Sequence, residues 1–303
     1  MFSERINNMN ITKDLSKLSY ETKTALVKDE QTSPEFLAAL ATDKDARIRI
    51  LVAWHSSTPS EVLDTLANDG VSVVRRAVAE NGNTFAKTLA KLANDTDEEV
   101  RSAVAENKNT SVETLVMLAQ DKERWVRIDV AENRNTRTET LAILASDKEW
   151  WVRQAVAKNE NTSVYVLAML AKDEDYDIRG AVARNNSTLT ETLALLAKDK
   201  DADVRSGVAL NGNTSVNVLA MLANDVGKWV RIAVASNSNT PLEILSQLAV
   251  DEEWCVREAV AENPHTPYNT LVMLTKDKKI EVRIRAKDAL QERTVKKEQN
   301  IER

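Results

Sequence analysis

The chain has 303 residues, 43% apolar and 29% charged, with a formal net charge of -6. Six Gly, five Pro and one Cys exclude a collagenous or loop-heavy all-β chain, an internal disulfide and a Cys-based metal site or cluster, so a reduced, intracellular setting is expected. Aromatics are only 4% of the chain, yet six are Trp against four Tyr and three Phe.

No charge-free run of 18 apolar residues occurs, and MFSERINNMN has no apolar stretch of signal-peptide type. Neither a membrane span nor a signal peptide is expected, and the negative charge argues against nucleic-acid or anionic-membrane partners. In chain order, residues 1–21 (with Leu15, Leu18 and Tyr20) are expected to form an N-terminal cap. A partial unit follows, TKTALVKDEQTSPEFLAALATD, residues 22–43. The pair Val/Ile-Arg then starts at Ile48, Val74, Val100, Val126, Val152, Ile178, Val204, Val230, Val256 and Val282, always 26 residues apart. Self-similarity at this period is the signature of a repeat architecture, expected over 22–290 without a linker. Beyond it the pattern turns polar, with Arg285 and Lys287 in place of core Ala and a charged tail over 291–303.

Each unit reads as two short helices. V-R-x-A-V-A sets apolar residues at 0, 3 and 4, one helical face. N-x-N-T then stops one helix and starts the next: Asn as a residue tolerant of the left-handed conformation, Thr as N-cap. Thr32, Thr58, Thr110, Thr136, Thr188 and Thr240 have Glu three residues later, a capping-box spacing, and Pro59, Pro241 and Pro267 directly follow such a Thr. The second helix carries two core Leu, such as Leu115 and Leu118. Two Leu and two Val per unit bury too little to offset the ordering of 26 residues, so neighbours must stack. The expected fold is all-α, a solenoid of about ten two-helix units with terminal caps.

The consensus V-R-x-A-V-A-x-N-x-x-T-x-x-x-x-L-x-x-L-A-x-D resembles the bacterial leucine-rich repeat variant family over roughly residues 22–290. That resemblance implies a right-handed superhelix of paired short helices. Family repeats usually carry Pro after both the Asn and the Thr, a pattern kept here at Asn263-Pro264-His265-Thr266-Pro267. The family's founding member has a Cys-ligated iron–sulfur cluster in a separate N-terminal segment. One cysteine cannot carry that over, and no cofactor or metal is expected. The Asp-x5-Arg spacing is also similar to HEAT repeats, protein-binding solenoids.

Residues that recur in every unit belong to the scaffold. Asp recurs six residues before each repeated Arg, as in Asp95/Arg101 and Asp121/Arg127, where it caps the coming helix or pairs with Arg across neighbouring units. Asn107, Asn133 and their counterparts are expected to satisfy turn backbone groups. His55 takes the place of such an Asn, and His265 the place of Asn83 two residues later, so both read as turn residues. No G-x-G-x-x-G, G-K-[ST], G-x-S-x-G or H-E-x-x-H is present, and Cys255 sits at a surface position.

Specificity must then lie in the positions that vary. With the Val of V-R as 0, positions -2, -1, +2 and +6 share an arc opposite the buried face. Trp54 is at +6; Trp125, Trp151 and Trp229 are at -1; Trp150, Tyr176 and Trp254 are at -2; Ile50, Ile128 and Ile232 are at +2. Packing between units is the alternative for -1, whereas -2 points away from the buried face. The same arc leans acidic, with Glu98, Glu99, Glu106 and Glu132 among its residues. An exposed aromatic stripe with acidic neighbours suits a protein or peptide partner, including one with basic residues, better than a phosphate backbone. Asp129 breaks the repeat by standing where Ala77, Ala103 and Ala155 stand, four residues after Trp125. That Asp/Trp pair is similar to the arrangement in HEAT-like alkylpurine DNA glycosylases, an alternative opposed by the lack of a basic track. The leading expectation is a non-enzymatic, cytoplasmic binding scaffold.

Overall fold

The computed structural model describes Leu15 and residues 17–301, with side chains through Thr294. Most of the cap expected over 1–21 lies outside the described residues; Leu15 itself is buried. Among the described residues there are helices and no strands. Nine-residue helices such as Glu98–Glu106 alternate with seven-residue helices such as Val112–Leu118. The chain divides into two compact units, Met1–Ala155 and Val156–Arg303. No linker separates them; the boundary falls within the helix Trp150–Lys158. Residues 291–301 continue the final helix, Ile280–Ile301.

In the first unit the nine-residue helices pack in sequence, Tyr20–Lys28 on Ala46–Trp54, then Ser72–Glu80, Glu98–Glu106 and Arg124–Glu132. In the second, Tyr176–Arg184, Ala202–Leu210, Lys228–Ser236 and Trp254–Glu262 do the same, ending on Ile280–Ile301. Each helix closes its core with the expected apolar set: Val100, Val104, Leu115 and Leu118 are all buried. Most units carry a small residue at +3, Leu51, Asp129 and Arg285 being the exceptions. A Cβ on Gly207 would lie 3.1 Å from the Ala183 Cβ, a tight contact at a position that Ala181, Ala233 and Ala259 fill in other repeats of the second unit.

Two polar ladders tie the repeats together. Arg101 reaches forward to Asp121 through Nε (2.6 Å) and Nη2 (3.0 Å), while Nη1 donates to the Asp95 carbonyl (2.8 Å). Asp121 Oδ1 accepts the backbone N–H of Glu123 (2.9 Å), so the carboxylate also closes the turn before the next helix. Arg49, Arg75 and Arg127 repeat the pattern in the first unit and Arg179, Arg205, Arg231 and Arg257 in the second. Lys23 holds the place of the first Arg and pairs with Asp43 (2.5 Å). In the second ladder Asn107 Nδ2 donates back to the carbonyls of Ala79 (2.6 Å) and Asn81 (3.1 Å), and its Oδ1 accepts the N–H of Asn109 (2.8 Å). His55 reproduces the Asn role: its Nδ1 accepts the Ser57 N–H (3.1 Å) and its Nε2 meets the Asp29 carbonyl (3.2 Å).

Two details of helix punctuation differ from expectation. Asn107 ends its helix in extended backbone (φ -68, ψ 126), and no described residue has positive φ. The amide side chain stitches the turn, so a left-handed backbone is not needed. Nor is the repeated Thr an N-cap. Thr110 is buried and donates its hydroxyl to the Val104 carbonyl (2.6 Å), and the N-cap is the next residue, Ser111, whose Oγ accepts the Thr114 N–H (3.3 Å). A hydroxyl buried beside a helix end finds an orphan carbonyl there, and donating to it outweighs accepting from the next helix. The capping-box spacing of Thr32, Thr58, Thr110, Thr136, Thr188 and Thr240 is therefore one residue out of register. Pro59, Pro241 and Pro267 are N-cap residues rather than first helical residues.

Candidate functional site

The nine-residue helices carry the non-repeating residues. In the first unit Trp54, Trp125 and Trp151 are 53%, 54% and 43% exposed; in the second, Trp229 is 64% exposed and Tyr176 is exposed. Trp150 and Trp254 are only half-buried. This inverts the expected order. Position -1, for which packing between units was the alternative, points to solvent, and -2 is the more covered in both Trp cases. The cause is cover from beyond the helical face: Trp150 stacks on Trp151 with ring centroids 3.6 Å apart, and Lys279 of the next repeat lies 5.9 Å over the Trp254 ring. Ile50, Ile128 and Ile232 are half-buried beside the aromatics.

Three of the exposed rings, Trp54, Trp125 and Trp229, meet a charged side chain. Arg124 lies 4.6 Å from the Trp125 ring centre and Lys228 5.8 Å from that of Trp229. Trp54 donates its indole N–H to Glu80 Oε2 (2.6 Å). Glu80 also accepts from Arg76 Nε (2.7 Å), and Arg76 Nη1 reaches Glu99 (2.8 Å). Trp54, Arg76 and Glu99 belong to three successive repeats, so this network orients the ring from outside its own helix.

Asp129 is half-buried, and its carboxylate accepts the Ser102 hydroxyl of the preceding repeat. Burial pushes its carboxyl up to about 6; the Ser102 hydrogen bond opposes the rise, and Glu106 and Glu132 add to it. The ladder carboxyls behave in the opposite way. Burial raises Asp121, but the Arg101 guanidinium and the Glu123 N–H outweigh it and hold the carboxyl below its usual value.

Cys255 is half-buried at the start of its helix rather than openly exposed. Among the described residues no group of three or more His, Cys, Asp or Glu could hold a metal ion, and no helix is long and apolar enough to cross a membrane. A Cys-ligated cluster therefore does not fit these residues.

Sequence reasoning missed a further set of exposed side chains, on the seven-residue helices: Met117 and Ile143 in the first unit, Met169, Leu195 and Met221 in the second. They recur at one repeat position, 17 residues after the Val of V-R, where period-26 alignment alone would have found them.

The leucine rich repeat variant family model matches residues 98–123 and 229–253. No curated protein matches the chain. A solved structure described as a leucine-rich repeat variant with a novel repetitive structural motif is 26% identical, covering 72% of this chain and 87% of that one, with a TM-score of 0.56. An engineered protein is similar at 18% identity over 93% of this chain and 98% of its own (TM-score 0.34). Importin beta is similar at 13% identity over 92% of this chain and 47% of its own (TM-score 0.40). Repeat spacing, alternating nine- and seven-residue helices and the family match at two repeats converge: the chain is a helical-repeat protein similar to the leucine rich repeat variant family.

Proposed function

We propose that the exposed aromatics on the nine-residue helices of each unit bind a protein or peptide, and that the chain is a non-enzymatic scaffold. One observation carries this reading: Trp54, Trp125, Trp151 and Trp229 are all at least 43% exposed. Tryptophan left in solvent forgoes a large apolar burial, and a partner recovers it; such rings dominate interface energetics. The six Trp are also spared from the repeating core, which Leu, Val and Ala fill. Acidic groups on the nine-residue helices, Asp129 with Glu106 and Glu132 beside it and Asp177 and Asp203 by Tyr176, favour a partner with basic side chains. The same charges disfavour a nucleic acid, whose phosphates need a basic track. A glycosylase centred on Asp129 and Trp125 is disfavoured too, since Ser102 occupies the carboxylate and Glu106 and Glu132 flank it. A reducing cytoplasmic setting suits the lone Cys255.

The test is affinity capture from native cells with the wild-type chain and with a W125A/W151A/W229A variant. The reading expects partners on the wild type that are absent from the variant, with far-UV circular dichroism unchanged between the two.

A further inference from the structure

We propose that the seven-residue helices of the second unit form a separate docking surface, for a protein segment in which apolar side chains are flanked by carboxylates. The proposal does not rest on the Trp face.

The first observation is a loss of charge. The helices VYVLAML, TETLALL, VNVLAML, LEILSQL and YNTLVML contain two ionisable carboxylates, Glu191 and Glu243, and no basic residue. Their counterparts in the first unit, PEFLAAL, SEVLDTL, AKTLAKL, VETLVML and TETLAIL, carry seven charges in the same thirty-five positions. One face of each helix already fills the core with Leu, and the opposite face of a solvated helix is normally charged. Here Met169, Leu195 and Met221 stand there, 42–52% exposed, and Met273 does the same after Gln247. Exposed Met and Leu repeated along one row make an adaptable apolar surface.

The second observation is the rim. The backbone N–H groups of Lys172, Lys198 and Lys276 bond the carbonyls of Met169, Leu195 and Met273 (3.0–3.1 Å), so a tight turn sets each lysine beside its apolar residue. Lys200 and Lys278 lie two residues further along, and all five lysines are exposed; the exposed carboxylates of the same turns are Glu174 and Glu252, while Asp175, Asp201 and Glu253 are half-buried at helix starts. Apolar row and lysine rim meet in an open groove of about 770 Å³ lined by Val250, Val272, Met273, Lys276 and Lys278; of the carboxylates in its wall, Asp251 and Asp277 are paired with Arg231 and Arg257, which leaves Glu252 against the two lysines. The groove admits a side chain between repeats, and the lysines select Asp or Glu beside it. A concave seat of this kind fits a polypeptide segment rather than a planar lipid surface.

The experiment is selection of a random phage-displayed peptide library on the immobilised full chain, followed by fluorescence anisotropy with the enriched peptides. Peptides with Leu, Phe or Trp next to Asp or Glu are expected. Their affinity should fall at least about tenfold in M169E/L195E/M221E and in the purely peripheral variant K198E/K200E, fall with added salt, and stay unchanged in W125A/W151A/W229A. Circular dichroism checks that both charge variants stay folded. No enrichment of acidic peptides, or binding of such peptides that is indifferent to K198E/K200E, would overturn the proposal; basic peptides lost in W125A/W151A/W229A would belong to the Trp residues instead. Flotation of the chain with phosphatidylserine vesicles that the two charge variants abolish would also overturn it, and would assign the surface to a membrane.

Discussion

Arg101 holds Asp121, twenty residues ahead, through two nitrogens at 2.6 and 3.0 Å, with both side chains only 8% exposed. Its third nitrogen closes on the carbonyl of Asp95, the counterpart of Asp121 in its own repeat. Each guanidinium thus joins two consecutive aspartates, and removing one strands a carboxylate away from water. Arg101→Ala should cost about 3 kcal/mol in urea denaturation, whereas R101M/D121L should cost clearly less, because no charge is left unpaired. Equal losses in the two variants would mean that packing, not pairing, dominates the rung.

Acid should act on the same ladder. Burial raises Asp95 and Asp121, but their arginines and the turn N–H groups prevail, and each carboxyl titrates below its unfolded value. A depressed folded pKa gives stability that is present above the unfolded pKa, about 4, and is lost as pH falls through the folded one. Denaturation midpoints should therefore fall together with pH below about 4, and a midpoint that is flat down to pH 3 would contradict the ladder's electrostatic role.

Asp129 should run the other way. Its carboxyl is raised by burial to about 6, so it remains protonated in the fold where it would ionise in the unfolded chain. The penalty is absent below about pH 4 and complete above about pH 6. Relative to wild type, Asp129→Asn should gain stability between those limits, on the order of 1 kcal/mol once partial solvent screening is allowed for. Stability curves of the two proteins at pH 4 and pH 7.5 check it.

The amide ladder gives a fourth expectation. Asn107 satisfies two carbonyls and one N–H in a buried turn, so Asn107→Ala should cost about 2–4 kcal/mol. His55 performs part of the same work, and His55→Asn should be tolerated or stabilising, as read by thermal unfolding.

The 26-residue period made the architecture legible, because a repeat that never slips fixes two helices per unit and names the core. It also singled out Asp121, Arg101 and Asn107, residue types that recur only where a backbone or charge must be met in every copy. It did not reveal the direction of Thr110's hydrogen bond, since a hydroxyl can accept or donate and burial decides which. Helical phase likewise placed Trp254 on an outer arc, but could not foresee Lys279 arriving from the next repeat to cover it. Met169, Leu195 and Met221 were not legible as exposed, because their seven-residue helices are apolar on more than one face and periodicity alone does not say which face is buried.

The exposed tryptophans remain the central claim, and truncating them should barely touch the fold: surface substitutions cost within about 0.5 kcal/mol, core ones several. The most direct test is side-by-side affinity capture and urea denaturation of wild type and W125A/W151A/W229A. An unchanged unfolding midpoint with complete loss of captured polypeptide is expected; a lowered midpoint would move these rings into the core, and capture that survives intact would exclude them from the binding surface.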